Sequence, residues 1–153
     1  MHETAARIGV GVRTRLSVMM FLEFFIWGAW LPLIFGYLPS LGFSPTQQAL
    51  ILSAFPIAAI VGMFFSNQFA DRNFAAERFL SFSHLVGGLS MLSLAWVAYS
   101  PRSVEVGGHQ LPLTFILFFV LMLVHCLFYV PTMSITNSIA FARPLPPGPK
   151  RPP

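Results

Sequence analysis

The chain of 153 residues is 56% hydrophobic and only 9% charged, with a net charge of +4. Soluble globular domains carry about 25% charged residues, so a water-soluble protein of this length is excluded and the apolar side chains must face lipid. The basic residues stand at the ends of apolar segments and form no patch interleaved with aromatic residues, which excludes a nucleic-acid-binding protein.

Four apolar segments are long enough to cross a bilayer, because a hydrocarbon core of about 30 Å requires roughly 20 residues of helix. Unpaired backbone groups are costly in lipid, so these segments must form helices. The sequence therefore predicts an all-α membrane protein with four transmembrane helices, at about residues 16–38, 49–70, 79–99 and 111–141. Residues 1–15 form an N-terminal tail before the first helix.

The lysines and arginines predict how these helices are oriented. If the N-terminus is cytoplasmic, eight of the nine basic residues lie on the cytoplasmic side and only Arg102 lies outside. Cytoplasmic loops carry an excess of Lys and Arg, so both termini are predicted to be cytoplasmic. The uncharged loop at residues 39–47 is then external, and residues 67–78 form a cytoplasmic turn.

Glu23 is the one charged residue of the first predicted helix. It lies roughly 10 Å from the start of that helix at 1.5 Å per residue. An ionised carboxylate is costly there, so Glu23 is expected to face the helix bundle. Either it couples protons or contacts a substrate, or it is a structural carboxyl bonded to another helix. Trp27 and Trp30 share its face, where contact with a substrate and ordinary packing or interfacial anchoring both remain open.

Small residues recur at helical spacing in the second and third helices, which lets membrane helices approach closely. In the second helix they are Ala54, Ala58, Gly62 and Ser66, and in the third they are Ser83, Gly87 and Ser90. We interpret this pattern as helix packing rather than chemistry.

The stretch NQFADRNFAAER, residues 67–78, holds every formal charge between Glu23 and Arg102. Charge is tolerated where the chain leaves the bilayer, which explains its position. Asp71 and Arg72 lie near a helix end and could form a gate latch across the cytoplasmic face. The alternative is a solvated loop that follows the charge bias of cytoplasmic segments.

A polar stripe runs along the fourth helix at spacings of four, seven and eleven residues: His125, Tyr129, Thr132 and Thr136, with Asn137 beside it. Such a stripe is expected to face a cavity or partner helices rather than lipid. His125 could relay protons or bond to a neighbouring helix. His84 in the third helix has the same two interpretations and ranks lower, because it lies near the cytoplasmic end.

Signatures of enzymatic chemistry are absent from the sequence, including HExxH, GxSxG and a Walker loop. Asp71 is expected outside the bilayer and His125 within it, so a Ser–His–Asp triad is not supported. Cys126 is the one cysteine, which excludes an intrachain disulfide framework and a Cys-x-x-Cys metal or redox motif. The sequence therefore predicts neither an enzyme nor a metal site.

The Asp71–Arg72 pair after a membrane helix resembles the loop signature G-x-x-x-D-R-x-G-R-R of the major facilitator superfamily. This chain departs from it with Asn67 in place of the first glycine and Ala75 or Ala76 in place of the second. The segments FLEFFIWGAWLP (21–32) and FYVPTMSITNSIAF (128–141) are similar to corresponding segments of bacterial nucleoside:proton symporters, a branch of that superfamily. The resemblance extends over residues 13–142.

This resemblance implies nucleoside uptake across the cell inner membrane by proton symport and alternating access, with a nucleoside as substrate, H⁺ as coupling ion and no cofactor. An aromatic face beside a carboxylate suits a nucleobase, which stacks and forms hydrogen bonds. The candidate substrate and proton-pathway residues are Glu23, Trp27, Trp30, His125, Tyr129, Thr132, Thr136 and Asn137. The candidate gate residues are Asp71 and Arg72.

Family members have twelve membrane helices in two halves, each half built from three-helix inverted repeats. The chain corresponds to the first repeat and one further helix, a partial major facilitator superfamily fold without the C-terminal half. Residues 143–153 hold six prolines and are expected to be disordered. We therefore expect a truncated N-terminal portion of a transporter, whose partners are lipid and a missing second half or further copies of itself. The alternatives are a self-standing four-helix interaction module and an inactive truncation product.

Overall fold

The computed structural model describes residues 2–73, 76–99, 104–106, 109–111 and 113–142, and the side chains of residues 11–63, 77–99 and 113–141. In chain order, the helices and strands of these residues are α1 (His2–Ser40), α2 (Pro45–Leu52), α3 (Ala54–Asn73), α4 (Ala76–Tyr99), β1 (Val104–Val106), β2 (His109–Leu111) and α5 (Leu113–Ala142).

Four segments of the described chain are long and apolar enough to cross a membrane: Gly11–Ser40, Pro45–Met63, Glu77–Tyr99 and Leu113–Phe141. This confirms the prediction of an all-α membrane protein with four transmembrane helices. The outward faces carry large exposed apolar side chains, among them Phe21, Leu33, Leu92 and Trp96. Continuous apolar surface of this kind is expected where the surrounding solvent is lipid.

The second span consists of two helices, whereas the sequence predicted one. α2 begins with a capping box, in which the Ser44 side chain accepts a hydrogen bond from the Gln47 N–H and the Gln47 side chain accepts one from the Ser44 N–H. The helix then breaks at Ser53, because Pro56 has no N–H to donate to the carbonyl four residues earlier. The Ser53 N–H still donates to the Ala49 carbonyl at 3.0 Å.

The end of α3 lies further along the chain than the sequence indicated. The helix continues to Asn73, so the backbone of Asp71 and Arg72 lies in its last turn rather than in a loop. Their side chains lie outside those that the structure describes, as do residues 74–75. α4 begins at Ala76 and places Glu77 in its first turn, where a carboxylate interacts favourably with the helix dipole.

α5 is the central helix and packs against α4, α3, α2 and α1. It contains Pro131 without a break between Leu113 and Ala142. The core around it includes Ile51, Leu38 and Met122, all nearly inaccessible to solvent. Phe43, in the turn after α1, makes an edge-to-face contact with Phe118 of α5, with ring centroids 5.5 Å apart. Because α5 contacts every other helix, its polar residues are the ones held at the centre.

Small residues lie where the helices approach each other. Ala54, Ala58, Ser83 and Ser90 are buried, and a Cβ atom added to Gly87 would lie 3.4 Å from His125 Nδ1. The packing interpretation of these positions is confirmed, except for Ser66, whose side chain lies outside the described ones.

β1 and β2, which lie between α4 and α5 in the sequence, pair antiparallel, with Val104 opposite Leu111 and Val106 opposite His109. The sequence pattern did not predict it. Three-residue strands give too little alternation to be distinguished from loop by pattern.

Candidate functional site

Glu23 lies on the inward face of α1 and is only 3% exposed. Its Oε1 atom accepts a hydrogen bond from Thr132 Oγ1 of α5 at 2.5 Å, and its Oε2 atom lies 3.2 Å from His84 Nε2 of α4. The Tyr129 hydroxyl of α5 donates to the backbone carbonyl oxygen of Glu23 at 2.6 Å. The predicted inward position of Glu23 is confirmed, and three helices converge on its carboxyl group.

The Thr132 hydroxyl has two acceptors within hydrogen-bonding distance, Glu23 Oε1 and the Tyr129 carbonyl oxygen at 2.6 Å. A hydroxyl donates one proton and accepts through its lone pairs. When Glu23 is ionised, the two acceptors compete for that proton. When Glu23 carries a proton, its O–H can donate to Thr132 Oγ1 while Thr132 donates to the Tyr129 carbonyl. Thr132 can therefore partner both forms of the carboxyl group.

His84 belongs to this cluster, although its sequence position ranked it low. Its side chain is 33% exposed and contacts Glu23 through Nε2. One signal in the sequence could have found it. Glu23 in the first predicted helix and His84 in the third each lie within about two turns of the helix start, and both helices are predicted to begin on the cytoplasmic side. A contact between the two side chains requires that they lie at a similar depth in the membrane.

Replacing Tyr129 by phenylalanine is expected to lower the free energy of unfolding by about 1 kcal/mol, because it removes one buried hydrogen bond and keeps the ring. Circular dichroism of the chain in mixed detergent micelles measures this loss. The matched control is Tyr99→Phe, since Tyr99 is 86% exposed at the end of α4 and should change stability by less than about 0.5 kcal/mol. Equal losses for the two variants would contradict the assigned Tyr129–Glu23 hydrogen bond.

His125 joins α5 to α4. Its Nδ1 atom lies 3.1 Å from the Gly87 carbonyl oxygen. The His125 ring stacks on Tyr129 at a centroid distance of 5.6 Å and meets Trp30 edge-on at 5.8 Å. An interhelical bond, one of the two interpretations from the sequence, is therefore present. The Nε2 atom is buried and has no hydrogen-bond partner within the described part of the chain.

The two tryptophans of α1 have different surroundings. Trp27 stacks on Phe55 of α3 with ring centroids 5.4 Å apart and planes 8° from parallel, which favours the packing interpretation. Trp30 contacts His125 of the α5 polar stripe. Both Nε1 atoms are buried and lack hydrogen-bond partners among the residues described.

The polar stripe of α5 is buried. Thr132 and Thr136 are fully inaccessible, and His125 and Tyr129 are almost so. Thr136 Oγ1 has no hydrogen-bond partner in the described chain, while Asn137 is half-buried. The stripe faces the helix bundle, as its spacing predicted.

Two spaces adjoin the Glu23 cluster, and His84 lines both. The first, which we call the Trp30 cavity, has a volume of about 420 Å³ and is lined in part by Trp30, Ser83, His84, Gly87, His125 and Tyr129. The second, which we call the Arg15 groove, has a volume of about 870 Å³ and is lined in part by Arg15, Glu23, Glu77, Ser81 and His84. Residues of α1, α4 and α5 line both spaces. The Trp30 cavity offers aromatic rings and polar atoms, and the Arg15 groove offers charged groups.

Metal binding finds no support in the described residues, where no group of three or more His, Cys, Asp or Glu side chains could hold an ion. The cluster is suited to two other tasks. A buried carboxyl group with hydroxyl and imidazole partners can accept and release a proton. A cavity with aromatic walls and unpartnered polar atoms can accept a planar polar ligand.

Comparison with known protein families shows that a family model described as nucleoside H⁺ symporter matches residues 10–147. The chain belongs to the nucleoside H⁺ symporter family. The resemblance inferred from the sequence is confirmed, and so is the prediction that the chain is not an enzyme, since the family and its relatives are transporters and permeases. Membership and four candidate spans together make it a multi-pass membrane protein.

Three curated relatives from Escherichia coli K12 illustrate this membership. The chain is 36% identical over 128 residues to the putative nucleoside transporter YegT, covering 84% of the chain and 27% of that protein. It is 30% identical over 134 residues to xanthosine permease, with coverages of 87% and 28%. It is 23% identical over 135 residues to nucleoside permease NupG, with coverages of 88% and 29%. The chain thus spans less than a third of the length of these relatives. No solved structure matches the chain.

Proposed function

We propose that the chain acts in nucleoside transport by proton symport, with H⁺ as the coupling ion. Membership in the family supports this role, and so do relatives named as a nucleoside transporter, a xanthosine permease and a nucleoside permease. Because the chain spans under a third of these relatives, we further propose that it is the N-terminal portion of such a transporter. It would work with a second half or with further copies of itself.

Glu23 is proposed to carry the coupled proton. The surroundings of its carboxyl group are the main observation in support of the proposed function. A membrane-embedded carboxylate is costly and marks ion or proton pathways. Glu23 is buried, and its carboxyl oxygens contact Thr132 and His84. Since Thr132 can partner both the protonated and the ionised form, the site can change protonation without losing its hydrogen bonds. Thr136 and Asn137 extend the same stripe of α5 as further members of the proposed pathway.

The Trp30 cavity is proposed to bind the nucleobase. Its volume of about 420 Å³ lies within the roughly 300–1,000 Å³ typical of small-molecule sites. Trp30, His125 and Tyr129 provide aromatic surface, and Ser83 Oγ, His125 Nε2 and Trp30 Nε1 are buried polar atoms without partners in the described residues. A nucleobase offers both a stacking face and hydrogen-bonding edges. Trp27, which packs on Phe55, stays a further candidate for contact with the substrate.

The orientation and the gate are also part of the proposal. The excess of basic residues at one side supports cytoplasmic termini, which places the Arg15 groove on the cytoplasmic side. Asp71 and Arg72, in the last turn of α3, are then at the cytoplasmic face. We propose that they act as a gate that closes this face against a partner segment.

The test is equilibrium binding of radiolabelled uridine to the purified chain in lipid nanodiscs. Stacking of a base on an aromatic side chain contributes about 1–3 kcal/mol, so Trp30→Ala is expected to raise Kd roughly 5- to 150-fold. The matched control is Trp96→Ala, because Trp96 is 71% exposed on α4 and does not line the Trp30 cavity. This variant should bind uridine like the wild type.

Equal weakening by the two tryptophan variants would contradict the Trp30 cavity as the site. Absence of uridine and xanthosine binding to the folded wild-type chain would contradict the proposal that the Trp30 cavity of this chain binds a nucleoside without a second half. It would favour a self-standing interaction module or an inactive truncation product.

A further inference from the structure

His84 is the more exposed partner of the buried Glu23 carboxyl group. Glu23 is 3% exposed, whereas His84 is 33% exposed and its Nε2 atom lies 3.2 Å from Glu23 Oε2. Glu23 and His84 both line the Arg15 groove, together with Arg15, Glu77 and Ser81. Because the Glu23 side chain is almost inaccessible and the His84 ring in contact with it is more exposed, His84 offers a proton a route between Glu23 and this groove.

We propose that His84 is a positioning and proton-transfer residue that passes the proton between Glu23 and the Arg15 groove. This inference rests on the proposed function for its role in transport, but the transfer itself requires no nucleoside. An imidazole is suited to the step because its two nitrogens can accept a proton on one side and release a proton on the other.

The step balances as a single proton transfer. When the proton of Glu23 is on Oε2, which faces His84, the Oε2–H bond breaks as His84 Nε2 binds the proton, which leaves a carboxylate and an imidazolium. The imidazolium then releases its Nδ1 proton to water in the Arg15 groove. The neutral ring retains the Nε2 proton and donates it as a hydrogen bond to Glu23 Oε2. Exchange of ring protons with groove water restores the starting tautomer, so the net result is one proton moved from Glu23 to water.

The charged and titratable groups around His84 come from three helices. α1 contributes Glu23 and Arg15, α4 contributes Glu77, and α5 contributes His125 and Tyr129. His125 is held by the Gly87 carbonyl and lies on the side of the Trp30 cavity, so it is not on the path to the groove.

The test measures how fast Glu23 loses its proton after a pH jump, in the purified chain in nanodiscs. Time-resolved infrared spectroscopy detects the carboxyl stretch, which the Glu23→Gln variant assigns. His84→Gln and His84→Ala are expected to slow the loss roughly 100-fold, the lower end of what a positioned proton-transfer group contributes. The final extent of deprotonation at high pH should stay the same, since groove water can still reach Glu23 slowly.

Two further measurements separate proton transfer from a structural role. Added imidazole should restore the fast rate in His84→Ala, in proportion to its concentration, and should not change the rate in the wild type. Ser81→Ala, which alters another residue of the Arg15 groove, is expected to leave the rate unchanged. An unaltered rate in His84→Gln would overturn the inference, and so would a slow His84→Ala that imidazole fails to accelerate. Because no nucleoside is added, failure of uridine binding would not affect this readout.

Discussion

Glu23→Gln is expected to abolish the pH dependence of nucleoside binding. In a symporter the substrate binds more tightly to the protonated carrier, so uridine affinity should rise as pH falls. One linked proton contributes up to about 1.4 kcal/mol per pH unit, or tenfold in Kd. The glutamine amide resembles the protonated carboxyl group in charge and shape. The variant should therefore bind uridine with an affinity that is high and independent of pH.

The measurement is a series of uridine binding curves in nanodiscs across neutral pH. Glu77→Gln is the matched control, because Glu77 is an exposed carboxylate of the Arg15 groove in the first turn of α4. This variant should keep the wild-type dependence of the uridine Kd on pH. If Glu23→Gln kept that dependence and Glu77→Gln lost it, the coupled proton would not reside on Glu23.

Gly87→Leu is expected to be the most damaging change in the helix packing. A Cβ at this position already lies 3.4 Å from His125 Nδ1 and 3.9 Å from the His125 backbone oxygen. The remaining atoms of leucine would have to force α4 from α5 and disrupt the contact between His125 and the Gly87 carbonyl. Overpacking of a tight interface costs about 1–3 kcal/mol, and the lost hydrogen bond adds about 1 kcal/mol.

The neighbouring glycine provides the control. A Cβ added to Gly88 meets no atom within 4 Å, so Gly88→Leu should be neutral or stabilise the helix by up to about 1 kcal/mol. Both variants are measured by detergent-induced unfolding followed by circular dichroism. Similar unfolding free energies for the two leucine variants would contradict the assigned close approach of α4 and α5.

The spans were predictable because the bilayer imposes a local requirement. The length of each apolar run and its lack of charged residues can be read directly from the sequence, and these two features located all four spans. The division of the second span at Ser53 was not read from the pattern, although Pro56 provided its cause. The helical position of Asp71 and Arg72 was also missed, since polar residues resemble a loop when only their charge is considered.

The site was predictable only in part. The cost of a buried carboxylate predicted that Glu23 faces the helix bundle. The spacing of the α5 polar stripe predicted that its residues lie on one face of that helix. Neither fixes how two helices are rotated against each other, so the contact of Glu23 with Thr132 could not be read from sequence. Periodicity placed Trp27 on the face of Glu23 with packing as one of two interpretations, and its ring stacks on Phe55 of α3, a partner that the sequence did not identify.

His84 is distinguished from other histidines only by comparison with Glu23. Taken alone, a histidine near a helix end has no distinguishing signal. Compared with Glu23, it lies at a similar depth in a helix of the same direction, and the two side chains are in contact. Matching the depth of ionisable residues across predicted helices therefore marks this pair as a candidate contact, whereas the helix rotation that brings the two side chains together is known only from the structure.

Uptake of a proton by Glu23 when a nucleoside binds is the central step of the proposed mechanism. Its most direct test is calorimetric titration of the nanodisc-embedded chain with uridine in buffers of different ionisation enthalpy, which counts the protons bound with each nucleoside. At the pH where the uridine affinity changes most steeply, proton uptake by the wild type should reach its maximum, close to one proton per uridine. Glu23→Gln should take up no proton at any pH. Binding of uridine by the wild type without any proton uptake over the whole pH range would contradict the claim.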